Sequence, residues 1–483
     1  MRTLLAVGSA AALMAGLGIA ATPVAQAAPP PSYTIEVLPA LPGDEYVRAA
    51  SINDAGDVAG TSSDGVRTDL VVWRATTRKT PQVVVKGAAE VAGISGNGVV
   101  AGNTTAETTW WRPFIWRNGS LSVLQNGASQ DNRFIDVSET GTVLDMAGSI
   151  WTSIESRTVL PHTLAGTTLT GIQTNGISGS GNFVVGSNHS GAGPGPLRWA
   201  GKTLQALGKP SGSVTSAAES VNDRGVAVGT ATMKNRSDRS VIWDASGTPS
   251  WLPTAPGLEV QGPTAINNSG IIVGAGRASA ETMAGYDRGV LWAQGKVHDL
   301  NDLITLPKGV TVKAAFDINN AGQITGLVNV ADGSDYGVTR GFVATPKAFD
   351  VYTTPGTHHY NGRDWRTTCG PYSQTTRCRT EIQATTIQVI NGRYVYVRGW
   401  AFNNLTYLPS ARSLWKNNPL AQPGNHTING RQWKTECDNA QTGRNGCRSY
   451  MLVSVIKVVA KPVSGYTYVV EDQRVFNNIV KFS

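Results

Sequence analysis

The sequence is poor in the residues and motifs that most enzymes use for catalysis. Among 483 residues there are only six histidines, and none of them stands in an H-E-x-x-H or H-x-x-x-H arrangement. No G-x-S-x-G stretch, no P-loop and no glycine-rich dinucleotide motif after a strand occurs. We therefore predict no catalytic residue, no cofactor and no metal site.

Cysteine is equally scarce, and its four residues all lie after residue 365. Cys369 and Cys378 are close in sequence, as are Cys437 and Cys447. In an exported chain such neighbours meet oxidising conditions, so we expect two local disulfides. Zinc ligation by the same cysteines is the alternative, although spacings of nine and ten residues are long for a zinc knuckle.

Long apolar runs are confined to the N-terminus. Arg2 precedes an Ala-rich apolar stretch, and Ala25-Gln26-Ala27 is typical of a signal-peptidase site. We predict that residues 1–27 are a cleaved secretory signal peptide, with an uncleaved membrane anchor as the alternative. The mature protein is then expected to be an extracellular monomer, either released or held at the cell wall by non-covalent contacts.

Glycine and tryptophan, by contrast, are plentiful, with 55 and 13 residues. The chain also has only 6 methionines and no long amphipathic helical stretch. This composition is typical of an all-β protein rich in turns.

A turn motif recurs seven times between residues 52 and 326. Each copy has a β-branched residue, then Asn or Ser, then a glycine three residues later, and the turn glycines are 40 to 52 residues apart. The Asn or Ser residues are Asn53, Ser95, Ser138, Ser178, Asn222, Asn267 and Asn319. Asn and Ser accept hydrogen bonds from backbone N–H groups in such turns, and glycine supplies the positive φ. We interpret these residues as structural.

The rest of each repeat predicts two more strands. An aromatic residue closes the third strand in most repeats, for example Trp73, Trp199 and Trp243, and is expected to pack between repeats. A fourth strand follows, as in KVHDLNDL at 296–303. Four strands per repeat predict a seven-bladed β-propeller. The last repeat lacks a fourth strand, and YTIEVLPAL at 33–41 is expected to complete it and close the ring. An open β-solenoid is the alternative.

The repeat resembles a known family. The pattern I-N-x-x-G-x-x-x-G, followed by an apolar triplet with Trp, is similar to the HAF-type extracellular repeats of secreted bacterial proteins, over residues 33–345. The His-Ala-Phe tripeptide itself is absent, and the matching places read RPFIW, GPLRW, RSVIW and RGVLW. The resemblance implies no established enzymatic activity.

A second, longer repeat follows the first. GTHHYNGRDWRTTC at 356–369 matches GNHTINGRQWKTEC at 424–437, and each copy continues to a second cysteine and later to FNN. We predict a propeller over residues 28–349 and, over residues 350–483, two tandem copies of a small β unit, each with one disulfide. This module resembles one common in secreted actinobacterial proteins, and the resemblance implies no activity.

Positive charge is concentrated in this second region. Residues 351–483 hold 16 Lys and Arg against 6 Asp and Glu, a net charge of +10 that leaves residues 1–350 at −2. Cations flank a tryptophan in both copies, and such groups can pair with anions and stack on sugar rings. The predicted binding residues are Arg363, Trp365, Arg366, Arg431, Trp433 and Lys434, with Trp110 and Trp111 in the propeller segment TTAETTWWRPF. The alternative is that the tryptophans form cores and the cations are merely solvated.

These patterns predict a secreted, non-enzymatic binding or scaffold protein. Its expected partner is an anionic cell-envelope or extracellular polysaccharide rather than nucleic acid. The alternative is a propeller-based glycosidase or lyase that uses channel carboxylates, for which Asp136 and Asp317 near the blade starts are candidates. The two hypotheses differ in whether the channel collects acids or the module collects Trp and Arg on one face.

Overall fold

The computed structural model divides into two compact units, one covering residues 30–347 and the other beginning at residue 348. It describes residues 32–87, 89–105, 111–124, 132–190, 195–258, 260–277, 287–333, 337–347, 349–360, 363–439, 442, 445–460 and 465–482. The predicted signal peptide and Trp110 lie outside these residues. In the described part, none of the helices has the length and apolar character needed to cross a membrane.

The first unit is a seven-bladed β-propeller in which each blade is a four-stranded antiparallel sheet. The chain opens with β1 (Tyr33–Val37). Blades 1 and 2 contain β2 (Tyr46–Ile52), β3 (Val58–Ser63), β4 (Thr68–Trp73), β5 (Gln82–Val85), β6 (Ala89–Ile94), β7 (Val100–Thr104), β8 (Arg112–Arg117) and β9 (Ser120–Val123). Blade 3 contains β10 (Phe134–Val137), β11 (Val143–Asp145), β12 (Ser149–Ser153) and β13 (Ser156–Val159), and is followed by a small hairpin of β14 (Thr163–Leu164) and β15 (Thr167–Thr168).

The remaining blades repeat the arrangement. Blades 4 and 5 contain β16 (Ile172–Ile177), β17 (Phe183–Asn188), β18 (Pro196–Ala200), β19 (Thr203–Ala206), β20 (Ser213–Val221), β21 (Ala227–Met233), β22 (Asp238–Trp243) and β23 (Pro249–Trp251). Blade 6 contains β24 (Val260–Ile266), β25 (Ile272–Arg277), β26 (Arg288–Ala293) and β27 (Lys296–Asp299), with helix α1 (Leu300–Leu303) after it. Blade 7 contains β28 (Val310–Ile318), β29 (Ile324–Val330) and β30 (Val338–Pro346).

The ring closes as the sequence predicts. Strand β1 pairs antiparallel with β30, from Tyr33 opposite Pro346 to Val37 opposite Phe342, and so supplies the fourth strand of blade 7. The first strand of blade 7 also contacts the first strand of blade 1. The exposed edges are thereby removed, and the open-solenoid alternative is wrong.

The repeated asparagines hold the ring together as well as the turns. In blade 7, Asn319 Oδ1 accepts a hydrogen bond from the Gln323 N–H at 2.8 Å, which fixes the turn, and Asn319 Nδ2 donates to the Asn53 carbonyl of blade 1 at 2.8 Å. Asn53 donates in the same way to the Ser95 carbonyl of blade 2 at 2.7 Å. Where Ser95 replaces Asn, its Oγ still accepts the turn N–H of Val99 at 2.9 Å. Serine thus keeps the turn bond but is too short to supply the donor between blades.

The second repeated glycine lies where the first strand bulges. In blade 1 the pairing between β2 and β3 shifts after Ala49, opposite Gly60. A Cβ on Gly60 would lie 2.0 Å from the carbonyl oxygen of Arg48, so no larger residue fits without a backbone shift. The same bulge occurs in the first strand of all seven blades.

The strand-closing tryptophans pack between blades. Trp73, Trp199 and Trp243 are fully buried. Their indole N–H groups donate to carbonyls in the segment that enters the blade, for example Trp243 Nε1 to Gly208 O at 2.8 Å and Trp199 Nε1 to Pro161 O at 2.8 Å. Each ring thus fills the space between sheets, and its polar atom is satisfied.

Two local features differ from the sequence pattern. The stretch predicted as a strand over 296–303 becomes helical at Leu300, because the Asp299 carboxylate accepts the Asn301 N–H at 2.9 Å and caps a short helix. In the shorter third blade, Asp145 occupies the glycine position. Its buried carboxylate accepts the Trp151 indole N–H at 2.8 Å, so it holds that tryptophan from within the blade.

The second unit is a single eight-stranded sheet made of two four-stranded copies. The first copy contains β31 (Gly356–Tyr360), β32 (Arg363–Tyr372), β33 (Thr375–Ile390) and β34 (Arg393–Ser410). The second contains β35 (Gly424–Ile428), β36 (Arg431–Cys437), β37 (Gly446–Ala460) and β38 (Tyr466–Phe482). The copies join where β34 and β38 run parallel. Both predicted disulfides are present, Cys369–Cys378 and Cys437–Cys447.

Candidate functional site

The propeller channel is lined by acids, as the enzyme hypothesis required. The residue two positions before the turn Asn or Ser lines the channel in five blades, and the residue one position after it lines the channel in six. In the first of these rings stand Asp136 of blade 3 and Asp317 of blade 7. In the second stand Asp54, Glu139 and Asp223 with Asn268 and Asn320. No Lys or Arg is among the described residues that line the channel.

Asp136 and Asp317 each join two blades. Asp136 Oδ2 accepts the N–H of Ile177 in blade 4 at 2.8 Å. Asp317 Oδ2 accepts the N–H of Ile52 in blade 1 at 2.9 Å and the hydroxyl of Ser51 at 3.0 Å. Burial raises the pKa of Asp136 to about 7 and also raises that of Asp317, against the opposing effect of these hydrogen bonds.

The second ring, which contains Asp54, Glu139, Asp223, Asn268 and Asn320, forms a belt of polar side chains. Asp54 accepts the backbone N–H and the side-chain amide of Asn320 at 2.7 and 2.8 Å. Asn320 in turn accepts the Asn268 N–H at 2.9 Å, and Asn268 Nδ2 donates to Asp223 at 2.6 Å. Each side chain therefore bonds to the next blade, so the belt is a set of links between blades.

Glu139 closes the belt across blade 2. Blade 2 has Gly96 at the equivalent position, and a Cβ there would lie 2.5 Å from Glu139 Oε2. The side chain of Glu139 can therefore pass over Gly96 and accept the Asp54 N–H at 2.9 Å. Burial, followed by the charge of Asp54, raises the pKa of Glu139 to about 7.

The channel carboxylates bind backbone amides of neighbouring blades. The channel cavity is about 100 Å³, below the roughly 300 to 1,000 Å³ typical of small-molecule sites. The carboxylates of Asp54, Asp136, Glu139, Asp223 and Asp317 already accept N–H groups. The described residues contain no cluster of three or more His, Cys, Asp or Glu suited to a metal ion.

In the first copy of the module, the structure leaves one predicted cation on the face of the tryptophan and places the other on the opposite face. Adjacent residues of a strand point to opposite faces, so Arg363 and Trp365 share one face and Arg366 lies on the other. Trp365 is half-buried, its ring packs edge-on against Tyr352 at 5.9 Å, and its indole N–H donates to the Tyr360 carbonyl at 3.1 Å. Arg363 is exposed and has no carboxylate partner among the described residues.

The second copy repeats this separation. Arg431 is exposed on the face of the half-buried Trp433, and Lys434 lies on the opposite face, paired with Glu436 at 2.6 Å. In the propeller, Trp111 lies 5.5 Å from the Arg133 guanidinium. Trp110, the other predicted binding residue of this segment, lies outside the described residues.

One face of the first copy gathers a cation and aromatic cluster that the sequence did not reveal. Arg366 lies over the Trp400 ring at 4.8 Å, Arg379 over Phe402 at 4.8 Å and Arg377 over Tyr372 at 4.3 Å. We call these six residues the arginine-aromatic face. Only knowledge of the register could have found it, since a bulge at Asn403 decides which residues of β34 face β33.

A single acid, Glu381, partly neutralises the positive charge of this face. Arg366 donates to Glu381 through Nε and Nη2 at 2.9 and 2.6 Å, and Arg379 lies 3.4 Å from its other oxygen. Burial acts to raise the pKa of Glu381, but the bonds and charges of the two arginines outweigh it and hold that pKa below its usual value. Three arginines against one carboxylate leave the face cationic.

Comparison with known proteins finds only distant structural likeness and adds no activity. No family model and no curated protein matches the chain. Similar solved structures include a streptogramin B lyase, with 10% identity, a TM-score of 0.40 and coverage of 65% of this chain and 98% of that one. The Dos1 propeller is similar with 10% identity, a TM-score of 0.35 and coverage of 65% and 94%. The acylaminoacyl peptidase of Pyrococcus horikoshii gives 12% identity, a TM-score of 0.38 and coverage of 72% of this chain but only 59% of the peptidase.

Proposed function

We propose that this protein is a secreted, non-enzymatic binding protein whose C-terminal module binds an anionic extracellular or cell-envelope polysaccharide. The observation that supports this proposal most is the arginine-aromatic face, where guanidinium groups are held over ring faces. Cation–π contact limits the freedom of an arginine while leaving its N–H donors available to an anion. The two disulfides and the absence of a membrane-spanning helix in the described part are compatible with secretion.

The spacing of the cations favours a polymer over a single small anion. Arg377 and Arg379 are two residues apart on β33, which separates them by roughly 7 Å along the strand. Arg366 lies on the neighbouring strand β32, opposite Glu381, so it is displaced from Arg379 both across the sheet and along the strand. Such a group of three cations can meet negative charges that repeat along a chain. The rings serve mainly as a support for the arginines, because their faces are already covered.

A binding experiment with the full-length protein tests this proposal. Polygalacturonate supplies repeated carboxylates, and neutral dextran is the matched uncharged polymer. We expect binding to polygalacturonate that weakens steadily with salt, and no binding to dextran. The double substitution Arg377→Ser with Arg379→Ser should weaken binding about tenfold, the effect of losing about 1.4 kcal/mol.

The matched control removes the same charge from the propeller. Arg224→Ser with Lys234→Ser changes two exposed cations of blade 5 and should leave polymer binding unchanged. Equal losses for both double variants would mean that net charge alone causes binding. Binding that does not respond to salt, or no binding to either polymer, would refute the proposal.

A further inference from the structure

The largest group of exposed apolar side chains lies at the ends of the two long hairpins of the module. One hairpin is formed by β33 and β34, the other by β37 and β38. Of the 19 exposed large hydrophobic residues in the described part of the chain, ten lie here. They are Val389, Ile390, Tyr394, Val395, Tyr396, Val458, Val459, Tyr466, Val469 and Val470. We call these ten residues the hairpin tips.

The tips form one patch rather than two. The Tyr394 and Tyr468 rings stack with centroids 4.4 Å apart and planes 24° from parallel. Tyr396 also lies beside Tyr468, with ring centroids 6.5 Å apart. Because β34 and β38 run parallel from Leu405 and Asn478 onward, both hairpins project in the same direction. A contiguous apolar patch of this kind on a soluble unit marks an interaction surface.

The charge around the patch is predominantly positive. Between residues 386 and 400, and between 455 and 470, the sequence contains no Asp or Glu. Arg393 and Arg398 are exposed, and neither has a carboxylate partner among the described residues. Lys457 is compensated by its ion pair with Glu471 at the border of the patch. An apolar patch with arginines that have no carboxylate partner is complementary to a partner that has an apolar interior beneath an anionic surface.

We propose that the hairpin tips dock onto an anionic lipid surface, without spanning it. Valine and isoleucine can enter the boundary of the acyl region, and tyrosines are favoured at the level of the headgroups. Arg393 and Arg398 would lie among anionic headgroups, where each basic residue contributes to binding. A second copy of the chain is a poorer occupant, since two cationic tips repel. A polysaccharide offers no apolar interior for the aliphatic side chains.

Vesicle binding by the full-length protein tests the proposal. Large vesicles of phosphatidylglycerol mixed with phosphatidylcholine supply the anionic surface, and pure phosphatidylcholine vesicles are the neutral comparison. We expect sedimentation with the anionic vesicles only. The triple substitution Tyr396→Ser, Tyr466→Ser and Val470→Ser removes side chains that are 57%, 64% and 57% exposed. It should lower the partition coefficient at least about tenfold. Arg393→Ser with Arg398→Ser should abolish the preference for anionic lipid.

Two control variants distinguish lipid docking by the tips from general surface stickiness and from polymer binding. Val66→Ser with Val214→Ser removes propeller side chains that are 97% and 52% exposed, and vesicle binding should not change. Arg377→Ser with Arg379→Ser should weaken polymer binding but not vesicle binding, so the two proposals can fail separately. The lipid proposal is overturned if the parent protein binds no anionic vesicles or if the triple variant binds as well as the parent. It is also overturned if the tips instead mediate a dimer that the triple variant dissociates in sedimentation equilibrium.

Discussion

The propeller channel and the arginine-aromatic face both collect charge, but they use it in opposite ways. In the channel, Asp136 and Asp317 accept backbone N–H groups of the next blade. On the module, Arg377 and Arg379 lie over the rings of Tyr372 and Phe402. The channel acids therefore link the blades, whereas three arginines against one carboxylate leave the module face with a net positive charge.

The sharpest difference should appear when the disulfides are removed. Cys369→Ser with Cys378→Ser should destabilise the first copy of the module by about 2 to 3 kcal/mol, because the closed loop restricts the unfolded chain. Hydrogen exchange followed by mass spectrometry can report this in β32 and β33.

The propeller provides the internal control for this measurement. All four cysteines belong to the module, so exchange in the blades should be the same before and after the substitution. Faster exchange in the blades would show that the stability of the propeller depends on the disulfide of the module.

The next largest effect should be the dependence of the free energy of unfolding on pH, which the channel acids cause. Burial raises the pKa of Asp136 to about 7, while an unfolded Asp titrates near 4. Between these values the folded state holds the extra proton, so the free energy of unfolding should fall as pH rises from 4 to 7. Asp136→Asn removes the contribution of Asp136 but not that of Glu139, so the fall in the free energy of unfolding between pH 5 and pH 8 should shrink by on the order of 2 kcal/mol. Denaturant unfolding at pH 5 and pH 8, followed by tryptophan fluorescence, measures it.

Asp223 gives a control of opposite sign. Burial favours its protonated form, but hydrogen bonds from Ser180 and Asn268 outweigh burial and lower the pKa of Asp223. Its contribution to stability is lost only as pH falls below the unfolded value. Asp223→Asn should therefore leave the slope between pH 5 and pH 8 unchanged. An identical slope for Asp136→Asn and the parent would show that Asp136 does not titrate in this window.

The same contrast explains what the sequence could predict. The seven blades were predictable because each turn repeats the same residue types, and the strand at Tyr33 could be assigned to blade 7 because that blade lacked a partner. The disulfides followed from cysteines close in sequence. These features depend on the spacing of residues along the chain, which can be read directly from the sequence.

The candidate sites depend instead on neighbours that are distant in sequence. Asp54 and Glu139 meet only because the ring curves and Gly96 leaves the space between them. Arg366 and Trp400 meet because of strand register, which a single bulge resets. The opposite faces of Trp365 and Arg366, by contrast, follow from their being adjacent in one strand.

The smallest predicted effect concerns the turn asparagines, because a single side chain bonds both within its own turn and to the next blade. Asn319→Ser should cost about 1 kcal/mol, because the hydroxyl can keep the turn bond to Gln323 but cannot reach the Asn53 carbonyl. Asn319→Ala removes both bonds and should cost about 2 kcal/mol. Denaturant unfolding of both variants separates the two bonds, since Ser95 already shows how serine serves in a turn. If Asn319→Ser proved neutral, the bond from Asn319 to Asn53 would contribute nothing, and ring closure would rest on strand pairing and on the bonds of Asp317 and Asp54 between blades 7 and 1.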